Sequence, residues 1–480
     1  MRHDLLVGIL SLWPWVAQAQ APERTPGREE LTRRLDSLVE ASTTELHLAG
    51  VSVVVLQGND TLVSRAAGYA DLENGVPADL GTVYRIGSIT KQFTAAAILQ
   101  QVDKGAIALD DRIRKYLPEC SGRCGETTIR QLLNHTSGIK NFTDLGDPFL
   151  AVSSQDLAQH DVLALVTQRP LDFAPGSRWS YNNSGYYLLG VILERVTSQP
   201  YAEYLEDHVW RPAGLTDTQY CDGRTLIPHR AHGYDAIGSR FVNAGHLSTT
   251  VPFSAAGLCS TAGDLVRWAR ALGSGRVVSR SAYQLMTTPS GAARRAEQPY
   301  GFGAWVTQSK GRRYISTFGQ MDGFNAVLWD TPTDSLIIAV LSNTSGTGTV
   351  TLGRQLSSVL LGIAAPSIEK TADEAPPALT PLTEIERNRY VGRYRLPAIR
   401  DGDPELGGSV TLRVFEENGR LTAQLTGDRP ERLVALGEHS FGFLERPDVR
   451  LSFFLRQGRA GRVRIAGPDG AAEGPRIGSR

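Results

Sequence analysis

Little in these 480 residues is present in excess: basic and acidic side chains balance at 50 each, cysteine occurs four times and methionine three. A net charge of zero without a basic cluster argues against nucleic acid or an anionic membrane surface as partner, since both draw a local cationic excess. Beyond the N-terminus no stretch approaches the roughly 20 apolar residues that cross a bilayer. His-Glu-x-x-His is absent, and His229 and His232, three apart, lack further residues at metal-ligand spacing. No serine sits in Gly-x-Ser-x-Gly, and no phosphate-cradling or dinucleotide glycine loop occurs. Neither a metal nor an organic cofactor is expected. Lysine is scarce beside arginine, so each lysine merits separate inspection.

What is present reads as an ordinary globular chain, 41% hydrophobic and 21% charged, long enough for two or three domains. The apolar stretch Leu5 to Val16, ending in Ala17-Gln18-Ala19, has the form of a cleavable signal peptide (residues 1–19). A polar, Pro-rich flank follows, and no cysteine stands at the cleavage point. The expectation is a periplasmic or secreted mature chain with no membrane span. An oxidising compartment permits disulfides among Cys120, Cys124, Cys221 and Cys259. Cys120 and Cys124 flank Ser-Gly-Arg, a loop short enough to close locally, while three pairings are open in all.

After a helix-prone entry (Arg28 to Ala41), Val51 to Leu56 and Thr61 to Ser64 flank the turn Gln57-Gly58-Asn59-Asp60, a hairpin signal. From Thr90 to Val102 apolar residues recur at helical spacing, and Gly105 stops the run. The middle of the chain alternates amphipathic windows (Tyr186 to Val196, Thr261 to Leu272) with Gly- and Pro-rich loops. Strands return at Phe324 to Trp329 and Leu336 to Leu341, across Thr331-Pro332-Thr333-Asp334. Strands at both ends with helices between predict an α+β domain over 28–365. A linker at 366–380, with Pro376-Pro377, precedes a small all-β domain over 381–480, possible as a barrel. Its signals are Val410-Leu412-Val414, Asn418-Gly419, Leu421-Ala423-Leu425, Leu451 to Leu455 and Val463 to Ile465.

Ser88-Ile89-Thr90-Lys91 places a hydroxyl and an amine three residues apart at the start of the expected buried helix, hence on one face. A desolvated lysine can hold a neutral amine that takes the serine proton. Taken alone, the pair is also what an N-capping serine followed by a surface lysine looks like. Two further Ser-x-x-Lys runs exist. Gly138 interrupts Ser137 to Lys140, and Ser367 to Lys370 falls in the linker. Tyr181-Asn182-Asn183 offers a phenol and a carboxamide ahead of a helix, a pattern that turn chemistry also produces. His135 reads as a loop histidine satisfied by backbone.

In order and spacing, Tyr84-Arg-Ile-Gly-Ser88-Ile-Thr-Lys91-Gln-Phe-Thr, Leu132-Leu-Asn-His-Thr-Ser-Gly138 and Pro175-Gly176 through Tyr186 resemble the serine β-lactamase-like hydrolases. That family includes class C β-lactamases, D-alanyl-D-alanine carboxypeptidases, D-aminopeptidases and related esterases. The likeness continues through Pro212 to Thr218 and Ala256 to Leu265, covering roughly residues 35 to 365. It implies a β-lactamase/transpeptidase-like domain, an antiparallel sheet with helices on both faces and a helical subdomain. It also implies acyl-enzyme chemistry on amide or ester bonds of a small molecule or short peptide. Ser88 would be the nucleophile, Lys91 and Tyr181 its proton carriers, and Asn183 the substrate orienter. The oxyanion would rest on the backbone N–H groups of Ser88 and Gln320. The family's third motif, Lys-Thr-Gly or His-x-Gly, corresponds here to Thr317-Phe318-Gly319, which keeps the glycine and loses the cation. Esters, amides or N-terminal peptides are therefore expected above β-lactams and carboxypeptidase substrates. The alternative is a binding protein that keeps the fold without turnover.

Overall fold

The computed structural model describes residues 28–362 and 383–478, apart from 146–148, 150–151, 238–239, 297–298, 310, 398–408, 418–419, 426–429, 438, 444–448, 457 and 468–469. The expected signal peptide, the 366–380 linker with its Ser367–Lys370 run, and the Asn418-Gly419 turn lie outside the described residues. The chain opens with helix α1 (Arg28–Glu45), then strands β1 (Gly50–Gln57), β2 (Asp60–Asp71) and β3 (Val76–Pro77). Helices α2 (Thr90–Asp103), α3 (Asn183–Thr197) and α4 (Ala262–Gly273) occupy the middle. Strands β4 (Trp305–Ser309), β5 (Arg312–Met321), β6 (Phe324–Thr331) and β7 (Leu336–Ser342) lead to helix α5 (Gly348–Leu361).

These strands form one antiparallel sheet of order β3-β2-β1-β7-β6-β5-β4. The late strand β7 sits between β1 and β6, pairing Val53 with Val340 and Val327 with Val340 on its two edges. A strand covered on both faces is apolar at nearly every position, which explains the run Val51 to Leu56; its one polar residue, the buried Ser52, donates to the Asp79 carbonyl at 2.9 Å. Val51, Val53 and Val55 pack with Leu35 and Val39 of α1 and Leu352 and Leu356 of α5. Val54 and Leu56 turn to the larger core, which contains Phe93 of α2, Leu189 of α3 and Trp268 of α4. Side chains of alternate residues thus serve two cores, as strand geometry requires. No helix among the described residues is long and apolar enough to cross a membrane.

All four cysteines are paired, Cys120 with Cys124 and Cys221 with Cys259. The short strands Tyr84–Arg85 and Gln219–Tyr220 flank Leu258–Ser260, so the second bridge ties neighbouring strands beside the Ser88 segment.

Beyond the sheet, strands β8 (Gly392–Pro397), β9 (Ser409–Glu417), β10 (Arg420–Leu425), β11 (Glu431–Gly437), β12 (Ser440–Phe443), β13 (Arg450–Arg456), β14 (Arg459–Gly467) and β15 (Gly470–Gly478) follow. They close in sequence order into an eight-stranded barrel. Tyr394, Leu412, Ala423, Phe441, Leu451 and Val463 belong to its own core, separate from the two on either face of the sheet. The α+β body and the small all-β C-terminal unit expected from the sequence are both present.

One half-buried acid in the sheet has a readable consequence. Desolvation raises the Asp330 carboxyl to about 7, with the nearby Arg313 pulling the other way. Between the ordinary carboxylate range and that value the folded state binds more protons than the unfolded one, so stability falls as pH rises through the window. Asp330→Asn, which mimics the neutral acid, is expected to raise the melting temperature more at pH 8.5 than at pH 5. Equal shifts at both pH values would show that the charge is not what costs stability.

Candidate active site

Ser88 lies in a single 3-10 turn, Gly87–Ile89, that runs directly into α2. Both ends of the turn are held by one strand: the Ile86 N–H donates to the Leu258 carbonyl at 3.0 Å, and the Leu258 N–H to Thr90 Oγ1 at 3.2 Å. Gly87 has φ +48°, and a Cβ there would lie 2.6 Å from the Gln320 amide nitrogen. A Cβ on Gly319 would lie 1.9 Å from the Ile86 carbonyl oxygen. Only glycine at both positions lets the turn and β5 approach this closely. The Ser88 amide nitrogen lies 3.3 Å from the same Gly319 Cβ position, so the Ser88 and Gln320 amides belong to neighbouring backbone. β4 covers β5 only over Arg312–Ser316, so beyond it the Ser88 turn flanks the strand.

Lys91 is the charged residue type at the centre of the site, and it is 0% exposed. The surface-lysine reading is therefore excluded. Its Nζ lies 3.0 Å from Ser88 Oγ, 2.8 Å from Asn183 Oδ1 and 3.0 Å from the Ala255 carbonyl oxygen. Desolvation holds the Lys91 amine well below the ordinary lysine range. A neutral amine has two N–H donors and one lone pair. The two carbonyl oxygens accept but cannot donate, so they take both hydrogens. In that form the lone pair would be left for the Ser88 hydroxyl, whereas an ammonium donates to Ser88 Oγ.

Asn182 caps α3, its side chain accepting from the Gly185 N–H at 2.8 Å. That frees Asn183, the first helical residue, to face Lys91. Its orientation is fixed by hydrogen bonding, with Oδ1 on Lys91 and Nδ2 donating to Thr143 Oγ1 at 3.3 Å. The Tyr181 ring lies with its centroid 4.7 Å from Lys91 Nζ and stacks on Trp305 at 5.7 Å and 6° between planes. Burial pushes the Tyr181 phenol up, and its hydrogen bond with Ser88 pulls it down. It is a neutral phenol near neutral pH.

The structure thus brings Ser88, Lys91, Tyr181 and Asn183 together and lays Gly319 and Gln320 along the same turn. Thr317 is placed differently. Its side chain is 1% exposed, and its hydroxyl accepts from Gln92 Nε2, whose own Oε1 accepts from Trp268 Nε1 at 2.8 Å. The position that carries a cation in the resembled family is here part of a neutral buried chain. Ser137 and Lys140 are absorbed locally, the former accepting from Ile139 N–H and the latter paired with Asp172. The sequence reading missed the Ala255 carbonyl, the Gly87 contact and Trp305. No short-range pattern signals any of them. Among the described residues no group of three or more His, Cys, Asp or Glu side chains is arranged to hold a metal.

The β-lactamase family model matches residues 35–357. The chain belongs to this family of serine hydrolases. It is 28% identical over 453 residues to penicillin-binding protein 4* of Bacillus subtilis, covering 90% of this chain and 96% of that protein. Among solved structures it is similar to a D-stereospecific amidohydrolase from a Streptomyces species, with TM-score 0.57 and 27% identity, covering 65% of this chain and 94% of that one. It also shares a fold with the octameric penicillin-binding protein homologue from Pyrococcus abyssi, at 21% identity and TM-score 0.60, over 92% of this chain and 99% of that one.

Proposed function

We propose that this β-lactamase family member is an exported, periplasmic or secreted hydrolase that cleaves amide or ester bonds through an acyl-enzyme on Ser88. The observation that supports the reading is the desolvated Lys91 amine, whose Nζ lies 3.0 Å from Ser88 Oγ and whose other two partners are carbonyl oxygens, which in the neutral form would leave its lone pair to the serine. Ser88 Oγ attacks the substrate carbonyl carbon and its proton passes to Lys91 Nζ. The resulting oxyanion is held by the Ser88 and Gln320 amides, each donor of this kind being worth about 3 kcal/mol. As the C–N or C–O bond breaks, the Tyr181 hydroxyl protonates the leaving group, and the Lys91 ammonium returns its proton to Tyr181. Water then adds to the ester by the same route, and Ser88 leaves as the alcohol. Asn183 holds the amine and offers its amide edge to the substrate.

The substrate preference follows from Thr317. With its hydroxyl bound to Gln92, this position supplies no positive charge for a substrate carboxylate. Esters and amides, including N-terminal aminoacyl amides, are favoured over β-lactams and peptides ending in a free carboxylate. The relatives span both sides of that choice, one a penicillin-binding protein and one a D-stereospecific amidohydrolase.

A fluorophosphonate probe is expected to add covalently to Ser88, seen as a mass shift on its peptide and absent from Ser88→Ala. Rates on a short-chain p-nitrophenyl ester, a D-alanyl amide and a chromogenic cephalosporin are expected to rank with the cephalosporin last. Failure of the wild-type chain to label would favour a binding protein without turnover. A cephalosporin rate above the other two would reverse the preference.

A further inference from the structure

His135 is wrapped around the tyrosine of the site in a way that its loop position does not explain. It is 1% exposed and sits in the left-handed region at φ 59°. That conformation turns its carbonyl and its ring toward one segment. The Ser180 N–H donates to the His135 carbonyl at 3.0 Å, and the Asn182 N–H donates to His135 Nδ1 at 3.2 Å. The ring packs on Tyr181 at 4.4 Å between centroids, with Tyr186 at 5.1 Å and Tyr300 at 4.6 Å completing the enclosure. One residue therefore holds the peptide groups before and after Tyr181 and the face of the ring between them.

The geometry points to His135 as a positioning residue that fixes the Tyr181 hydroxyl for proton delivery to the leaving group; this rests on the role proposed above for Tyr181. The bond from Asn182 assigns the tautomer, because an N–H can donate to Nδ1 only if Nδ1 carries no hydrogen. The hydrogen is then on Nε2, which is buried and has no hydrogen-bond partner. Leaving such a donor unmet costs stability. Apolar packing alone is served as well by phenylalanine, which has no polar atom to bury. The ring nitrogen accounts for the histidine through the Asn182 contact. Burial holds the imidazole well below its ordinary range, which keeps Nδ1 an acceptor.

The test separates positioning from general support of the fold. A p-nitrophenolate leaves without being protonated, whereas a p-nitroanilide needs a proton as it departs. The two are compared on one acyl group for wild type, Tyr181→Phe, His135→Gln and His135→Asn. Asparagine tolerates the left-handed backbone and sets an acceptor near the Nδ1 position; glutamine sets its polar atoms further out. Expected is that Tyr181→Phe and His135→Gln each lower kcat on the anilide about 20-fold more than on the ester. His135→Asn keeps the ratio within about threefold of wild type. Equal losses on both substrates in His135→Gln, or none on either, overturn the proposal while leaving Tyr181 in place. A Tyr181→Phe variant that treats the two alike removes the Tyr181 role and the positioning role with it. Should His135→Gln not fold, a folded His135→Asn whose ratio has dropped to that of Tyr181→Phe overturns it equally.

Discussion

Lys91→Met is expected to reduce kcat/KM on a turned-over ester by about 10⁴-fold, the upper range for loss of a positioned general base. At 1.36 kcal/mol per tenfold this is about 5 kcal/mol of transition-state stabilisation. Methionine keeps an unbranched chain of similar length and lacks the amine, so the space stays filled while the lone pair beside Ser88 Oγ disappears. The same variant should change how stability depends on pH. In the unfolded chain Lys91 is protonated up to its ordinary value of 10.5, while burial makes the folded protein release that proton at lower pH. Between the two the unfolded state binds more protons, so this residue's contribution to stability rises with pH and is lost as pH falls. Urea unfolding at pH 10 and pH 7 should therefore show wild type losing ground to Lys91→Met at the lower pH. A pH-independent difference, or activity within tenfold of wild type, would contradict a neutral catalytic amine.

The second large effect concerns the Cys221–Cys259 bridge, whose ends are separated by 38 positions in sequence. On the loop-entropy model a closure of that length is worth about 4 kcal/mol, against about 2 kcal/mol for the local Cys120–Cys124 loop. Both Cys221 and Cys259 are buried, so alanine is the suitable replacement for the pair. Cys221→Ala with Cys259→Ala is expected to lower the melting temperature by about 10 °C, roughly twice the effect of removing the other bridge. Activity should fall as well, at a temperature where the variant is still folded. Cys259 lies in the strand whose Leu258 anchors Ile86 and Thr90 on either side of the nucleophile. Differential scanning calorimetry with a rate measured below the transition tests both. A thermal shift no larger than that of the local bridge would count against the loop argument, and an unaltered rate against the anchoring one.

How much of this was legible in the sequence depended on how far apart the interacting groups are. Ser88 and Lys91 are one helical turn apart, and Tyr181 and Asn183 are two residues apart, so spacing and family likeness were enough to single them out. The contacts that give them meaning are remote. Ala255 lies 164 residues from Lys91 and presents only a carbonyl, which every residue has. Gln92 meets Thr317 across 225 residues, so the fate of the substituted third motif was invisible until the chain was folded. His135 was read as satisfied by backbone, which describes Nδ1 and not Nε2. In the C-terminal unit the strands with clean alternation were readable, among them Val410-Leu412-Val414. Gly470–Gly478, with three glycines and a proline, gave no such signal. Its strand conformation comes from partners on both sides rather than from its own propensity.

The barrel's seam lies where its first and last strands meet, Tyr394 opposite Arg476. Deleting only the final strand would therefore strip a neighbour from each of two others and leave two unpaired edges, the usual template for sticking to other chains. A shortened form of this enzyme is better ended ahead of Thr383 than inside residues 470–478. An intermediate cut invites clumping in place of a smaller, well-behaved molecule.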